Sequence, residues 1–122
     1  MASFVASKSK NLEGSIKVPG DKSISHRSIM LGSIANGETR ISGFLQGEDS
    51  LATLNAFKEM GVDIKRNGSN VIIKGVGMNG LKEPLKPLDL GNSGTSIRLM
   101  AGLLSAQSFN TELTGDDSLS KR

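Results

Sequence analysis

Lys22 and Arg27 bracket Ser23, Ser25 and His26 directly after a Pro19-Gly20 turn. A strand-like run, Gly14 to Val18, precedes that turn, and a helix-like run follows it. At a helix start, unpaired backbone N–H groups and the macrodipole favour an anion. A lysine adds a compact point charge, and an arginine adds a planar fork that grips a phosphate or carboxylate with two bonds. The chemistry this pattern suits is capture of a small anionic metabolite, with Lys22, Ser23 and Arg27 as candidate ligands. The plainer reading is a solvated helix start whose serine caps backbone N–H groups. That reading leaves Lys22 unexplained, because a cation at a helix N-terminus opposes the dipole. His26 reads as a packing or hydrogen-bonding residue rather than a catalytic base.

The second constellation is Leu90-Gly91-Asn92-Ser93-Gly94-Thr95-Ser96-Ile97-Arg98. Its glycines let backbone approach a ligand, and its N–H groups can converge on an anion. It is neither a P-loop nor a G-x-G-x-x-G fingerprint, and a purely structural strand-to-helix turn remains open for it. Arg98 sits one turn into the following helix, where a structural role is also open. The third is Lys121-Arg122, which spacing alone reads as a solvated terminus. Asp49, Asp116 and Asp117 read as helix caps.

The elements that must position these residues follow from periodicity. After the strand-like Gly14 to Val18, Ser23 to Ala35 reads as a helix whose apolar stripe is Ile24, Ile29, Met30, Leu31, Ile34 and Ala35. Asn36-Gly37 suits its C-cap. Glu38 to Ser42 reads as a strand, followed by a turn with Phe44 and Leu45 buried. Glu48-Asp49-Ser50 opens a helix carrying Leu51, Leu54, Phe57 and Met60 and ending at Gly61. Val62 to Arg66 and Asn70 to Lys74 are strands around Asn67-Gly68, a strong hairpin signal. Beyond a Gly- and Pro-punctuated connection come a short strand at Leu88-Asp89-Leu90, a helix from Ser96 to Ser105, a strand from Phe109 to Thr114, and a helix start at Gly115 to Ser118.

The fold class is α/β (α+β), and the order of elements repeats. A shift of 71 places Gly20 on Gly91, Ser25 on Ser96 and Arg27 on Arg98, and a shift of 72 places Gly43 on Gly115. This spacing predicts duplicated βαβαββ units, one complete and the second cut after its second strand. The expectation is therefore a part of a longer protein, marginal alone, with open strand edges and exposed apolar surface.

Composition removes several function classes. The 122 residues suit one small domain, and four Phe with no Trp or Tyr give a thin aromatic supply for its core. The net charge is +3, but the basic residues form no stripe and lack interleaved aromatics, so nucleic acid is not an expected partner. There is no Cys and one His, which argues against disulfides, a Cys nucleophile and a His/Cys metal site. No apolar run approaches the ~18 residues of a membrane span, and Met1 to Ser7 lacks the pattern of a signal peptide.

Taken together, Pro19 to Arg27, Leu90 to Arg98 and Gly115 to Arg122 resemble, in order and separation, the N-terminal portion of the 5-enolpyruvylshikimate-3-phosphate synthase family. The resemblance runs from about Lys10 to Arg122. It implies a two-domain inside-out barrel of βαβαββ repeats, with residues 1–19 in the domain completed by a C-terminal half and residues 20–122 in the other. It implies transfer of the enolpyruvyl group of phosphoenolpyruvate to the 5-hydroxyl of shikimate 3-phosphate, releasing phosphate, in a cytoplasmic enzyme of the shikimate pathway with no metal or organic cofactor. Residue by residue, it implies that Lys22 contacts both substrates. Ser23, Arg27 and Thr95 would bind shikimate 3-phosphate, and Asn92, Gly94 and Arg122 would bind phosphoenolpyruvate. The acid/base carboxylates would come from the other half, so this chain alone would be inactive, or one part of a split enzyme working with a complementary chain. Leu99 stands where some members have Pro, and Gly94 keeps the small residue of glyphosate-sensitive members. The related transferase acting on UDP-N-acetylglucosamine usually carries a Lys-Asn pair in its first motif and a reactive Cys; here Lys22-Ser23 and no Cys stand instead. A non-catalytic anion-binding module is the reading from another class.

Overall fold

Asp21 sets the start of the first helix. Its backbone is extended, and its carboxylate accepts a hydrogen bond from the Ile24 N–H at 2.7 Å, the N-cap arrangement that satisfies an orphan donor. Helix α1 therefore runs Lys22–Ile34, one residue earlier at each end than periodicity predicts. This is a computed structural model describing residues 2–122; Met1, the first residue of the expected N-terminal segment, lies outside them. After α1 come β1 (Asn36–Ile41), α2 (Glu48–Glu59), β2 (Asp63–Asn67), β3 (Asn70–Val76), β4 (Leu88–Asp89), α3 (Gly94–Leu104), β5 (Leu113–Thr114) and α4 (Asp117–Ser120).

The fold is mixed α/β. Strands β1, β3 and β2 form an antiparallel sheet in that order, and β4 and β5 form a separate parallel pair. The Asn67-Gly68 hairpin forms as expected: Asn67 pairs with Asn70, and Gly68 takes a positive φ of 57°. The Asn36-Gly37 helix cap does not form. Both residues already belong to β1, where Gly37 pairs with Gly75 of β3, and Ala35 is the C-cap.

The buried face of α1 also differs from the predicted stripe. Ile24 and Leu31 are exposed, whereas Ser25, His26, Ile29, Met30, Gly32 and Ser33 are buried. The helix lies too close to the sheet for a continuous row of large side chains. A Cβ on Gly32 would stand 2.9 Å from Ile73 Cδ1, and a Cβ on Gly75 would meet the carbonyl oxygens of Ala35 and Gly32. The core joins both parts of the chain: Ile29, Phe57, Met60, Ile73, Leu88, Leu90 and Met100 are all fully buried in one cluster. Phe44 is buried as predicted, and Leu45 only partly.

The strand expected at Gly14 to Val18 is absent. Residues 2–19 form no helix or strand and are exposed, Ile16 and Val18 included. Among the described residues β1 pairs only with β3, so this segment has no ladder partner to satisfy its backbone. The first unit, read as βαβαββ, is thus α1-β1-α2-β2-β3 here. The strand predicted from Phe109 shortens to Leu113–Thr114, because only the stretch facing Leu88 and Asp89 finds a partner.

Candidate functional site

The first group of residues is built by the start of α1. Lys22, Ser23 and Arg27 are all exposed on its opening turns. Ser25 points inward instead. Its hydroxyl donates to the Asp21 carbonyl at 2.7 Å and accepts from the Leu45 N–H at 3.0 Å, fixing the loop after β1 to the helix start. Lys22 forms an ion pair with Asp49, and with Leu45, Gly47, Glu48 and Ser50 the two line a shallow depression of about 360 Å³. Asp49 is therefore not the cap of α2. The N-cap is Gly47, which has no side-chain hydrogen bond, and Asp49 lies in the first turn beside Glu48. Sequence spacing missed this counterion because its partner comes from another helix.

The second group is built where the parallel pair ends. The Leu88 N–H donates to the Glu112 carbonyl and the Leu90 N–H to the Thr114 carbonyl, each at 2.9 Å. Both strands then turn into helices. Gly91 makes its turn with φ 56°, and its N–H donates to Asp89 Oδ1 at 2.8 Å. The Asp116 N–H donates to the Gly91 carbonyl at 2.9 Å, joining the two turns. Asn92 Nδ2 donates to Asp116 Oδ2 at 2.7 Å, and Arg122 Nη2 donates to Asn92 Oδ1 at 2.9 Å. Arg122 also lies over Gly94: a Cβ added there would be 3.1 Å from Nη1. Asn92, Gly94 and Arg122 thus come together; Arg122 is exposed, as the solvated-terminus reading expects, but its guanidinium is tied to Asn92. Thr95 and Arg98 are exposed on the first turns of α3.

Asp116 caps α4 as predicted, accepting from the Leu119 N–H at 2.8 Å, whereas Asp117 is the first residue of the helix and not its cap. The Asn92 hydrogen bond, then the Leu119 N–H, hold the Asp116 carboxyl below the ordinary value of 3.8. Open α/β sheets bind ligands outside the carboxyl ends of their parallel strands. Here that end carries a glycine-rich turn, an amide and a guanidinium, with the Asp116 carboxylate beside them. Such a set can grip a carboxylate or phosphate.

A buried polar chain connects the two groups. His26 Nδ1 is 2.8 Å from Thr53 Oγ1, which is 2.6 Å from Ser96 Oγ, which is 2.6 Å from Ser93 Oγ. His26, Thr53 and Ser96 are fully inaccessible, and Ser93 is the N-cap of α3. Burial lowers the His26 pKa from its ordinary 6.5; Asp49 opposes this and Lys22 adds to it. His26 is thus the packing and hydrogen-bonding residue expected. Thr53 carries no signal of this in the sequence, whereas Ser93 and Ser96 lie in the second constellation and Ser96 matches Ser25 under the shift of 71. Among the described residues, no cluster of His, Cys, Asp or Glu is arranged to hold a metal ion, and no helix is long and apolar enough to cross a membrane.

Comparison with known proteins bears on the whole chain. The sequence model of the family described as EPSP synthase (3-phosphoshikimate 1-carboxyvinyltransferase) matches residues 6–122. A 3-phosphoshikimate 1-carboxyvinyltransferase of Ruthia magnifica subsp. Calyptogena magnifica is 69% identical over 122 residues, 100% of this chain and 28% of that protein. One from Hydrogenovibrio crunogenus is 66% identical over 112 residues, 91% of this chain and 25% of that protein. Among solved structures, EPSP synthase from Acinetobacter baumannii matches with a TM-score of 0.86 at 61% identity, covering 89% of this chain and 25% of that one. The chain thus spans little more than a quarter of the length of these relatives.

Proposed function

Because the chain belongs to the EPSP synthase family, we propose that it forms the first substrate-binding portion of a 3-phosphoshikimate 1-carboxyvinyltransferase. The reaction joins the 5-hydroxyl oxygen of shikimate 3-phosphate to C2 of phosphoenolpyruvate. C3 of phosphoenolpyruvate takes a proton as the C–O bond forms, giving a tetrahedral species. Loss of phosphate and of one C3 proton then restores the double bond. Both substrates are anions, so a site that brings them together must offset their repulsion with fixed positive charge and hydrogen-bond donors.

The observation that carries this reading is the convergence of Arg122, Asn92 and Gly94 at the end of the parallel pair. In our assignment these three hold phosphoenolpyruvate. Ser23, Arg27 and Thr95 hold shikimate 3-phosphate, and Lys22 reaches both after leaving Asp49. Neither a metal nor an organic cofactor is required by this scheme. The general acid and base would be carboxylates in the length of the relatives not represented here, on the same polypeptide or on a complementary chain. The residues described here then bind without turning over.

The exposed segment ending at Pro19 supports the proposed division: residues 1–19 would belong to a domain completed by that further length, and residues 20–122 to the other. A two-domain inside-out barrel of βαβαββ repeats and a cytoplasmic location are part of the same proposal. The test is phosphate release on adding shikimate 3-phosphate and phosphoenolpyruvate, measured alongside native mass. Turnover is expected only at a mass well above 12.8 kDa. The 122-residue chain alone should bind shikimate 3-phosphate saturably and release nothing. Absence of saturable binding by the folded chain would overturn the assignment.

A further inference from the structure

We propose that His26 is a positioning residue that holds the glycine-rich turn Gly91 to Thr95 in register with the Lys22 to Arg27 helix start. It acts through a one-way chain of hydrogen bonds ending at Ser93. The inference rests on reading those two segments as halves of one substrate site.

The direction of the chain follows from counting protons. Ser96 donates twice to Ser93 Oγ, through its N–H at 3.1 Å and its O–H at 2.6 Å. Its hydroxyl proton being committed, Ser96 Oγ accepts from Thr53 at 2.6 Å. The alternative acceptor for Thr53, the Asp49 carbonyl, is 3.5 Å away and too long to compete. Thr53 Oγ1 is then free to accept, and the group facing it at 2.8 Å is His26 Nδ1. The ring therefore carries its proton on Nδ1. Nε2 is left bare, buried and without a partner.

Each link in the chain belongs to a different helix: His26 to α1, Thr53 to α2, Ser93 and Ser96 to the N-terminal end of α3. His26 lies one helical turn after Lys22 and directly before Arg27, and Ser93 lies directly between Asn92 and Gly94. The chain thus ends on the backbone that must be held at a fixed distance from the cations of α1. A second proton on the ring would have to sit on Nε2 with nothing to accept it. The charged groups bearing on the ring are Lys22 on its own helix and Asp49 on α2; from α3 the uncharged Ser96 faces it.

The experiment is NMR on the 122-residue chain, comparing wild type with Thr53→Val, His26→Leu and His26→Asn. Valine keeps the shape of threonine but removes the hydroxyl. Asparagine places an amide N–H close to where Nδ1 stands. Expected results are an Nδ1–H tautomer for His26 and amide exchange at Ser96 and Ile97 raised about tenfold in Thr53→Val and His26→Leu. Exchange at Val71 and Ile73 in the sheet should be unchanged, and His26→Asn should restore the wild-type pattern. An Nε2–H tautomer, or wild-type exchange at Ser96 and Ile97 in Thr53→Val, would overturn the proposal; Thr53→Val decides if His26→Leu does not fold. Titration with phosphoenolpyruvate separates this inference from the functional assignment. If the wild-type chain shows no shifts at Gly94 to Ser96, the substrate assignment fails and the exchange data still decide the role of His26. If it binds, Thr53→Val should weaken binding about tenfold, and unchanged affinity would overturn the positioning role.

Discussion

Lys22 is paired with Asp49, so under the proposed assignment an anionic substrate must compete with a carboxylate for the same ammonium group. Removing each partner should have opposite effects on binding. The Lys22 side chain is 53% exposed and that of Asp49 21%. A pair this accessible is screened by solvent and contributes only about 0.2–1 kcal/mol to stability. Lys22→Met should therefore melt close to wild type. Its effect on ligand is larger, because a charge-assisted hydrogen bond to phosphate is worth roughly 1.5–3 kcal/mol. The affinity of the chain for shikimate 3-phosphate should fall by about 10- to 150-fold. Asp49→Asn releases Lys22 and removes a negative charge facing the ligand. Affinity should rise by the strength of the lost pair, about 1.5- to 5-fold. The rise should shrink as salt shortens the screening length, which is about 10 Å at 0.1 M. Isothermal titration of the single variants and the double variant at low and moderate salt measures all of this. In the background of Lys22→Met, Asp49→Asn should lose most of its benefit. Weaker binding by Asp49→Asn, or unchanged affinity in a folded Lys22→Met chain, would refute the competition argument.

Four further outcomes are expected. Gly75→Ala forces a Cβ onto the Ala35 and Gly32 carbonyls, backbone that cannot swing aside; thermal melts should show a loss of at least ~1–3 kcal/mol. Burial lowers the His26 pKa below its unfolded value of 6.5, so the unfolded chain binds more protons in the window beneath it. Stability present above pH 6.5 should fall as the pH drops through that window, and denaturant melts of His26→Asn should lack this slope. Arg122→Ala should weaken phosphoenolpyruvate binding roughly 10- to 150-fold with little change in melting, since its partners Asn92 and Ser118 are exposed; Gly94→Ala should also weaken it by pushing the guanidinium aside. Deleting residues 2–18 should reduce fluorescence of the dye ANS, because Phe4, Val5, Leu12, Ile16 and Val18 are all exposed, and equal fluorescence would contradict that placement.

What could be read from the sequence was what depends on local pattern. Helix α2, the Asn67-Gly68 hairpin, the Asp116 cap and the cations at the start of α1 each rest on neighbours a few residues apart. What could not be read depends on partners from elsewhere in the chain. Asp49 looked like a cap because acids suit a first turn, yet Lys22 takes it from another helix. Spacing alone reads Arg122 as a solvated end because nothing near it in sequence reveals Asn92; only the family resemblance groups the two. Gly14 to Val18 alternates like a strand, but alternation specifies a face and cannot supply a neighbouring strand. The stripe on α1 misled for a related reason. Periodicity assigns large apolar residues inward, whereas α1 turns Ser25 to the Leu45 loop and His26 to Thr53, and approaches the sheet closely at Gly32 and Gly75.

The proposed internal repeat, read as a numerical shift, has a structural counterpart at the turns. A shift of 71 or 72 carries Gly20 to Gly91 and Gly43 to Gly115. In the structure the contacts run within each stretch, between Gly20 and Gly43 and between Gly91 and Gly115: a Cβ on Gly20 would strike the Gly43 carbonyl, and a Cβ on Gly115 would lie 2.7 Å from the Gly91 carbonyl. Each contact joins the turn that leads into a helix, α1 or α3, to the turn that follows the next strand. The glycines permit that approach because they lack a side chain. The serines that match, Ser25 and Ser96, both turn their hydroxyls inward, yet they do different work. Ser25 holds the Leu45 loop of its own unit. Ser96 reaches across to Thr53 of the first unit. The matching glycines thus frame two similar helix starts; Ser25 ties its own to the Leu45 loop, whereas Ser96 bonds both Ser93 beside it and Thr53 of α2. His26 lies at that junction, its Nδ1 2.8 Å from Thr53 Oγ1 and 3.3 Å from Ser96 Oγ.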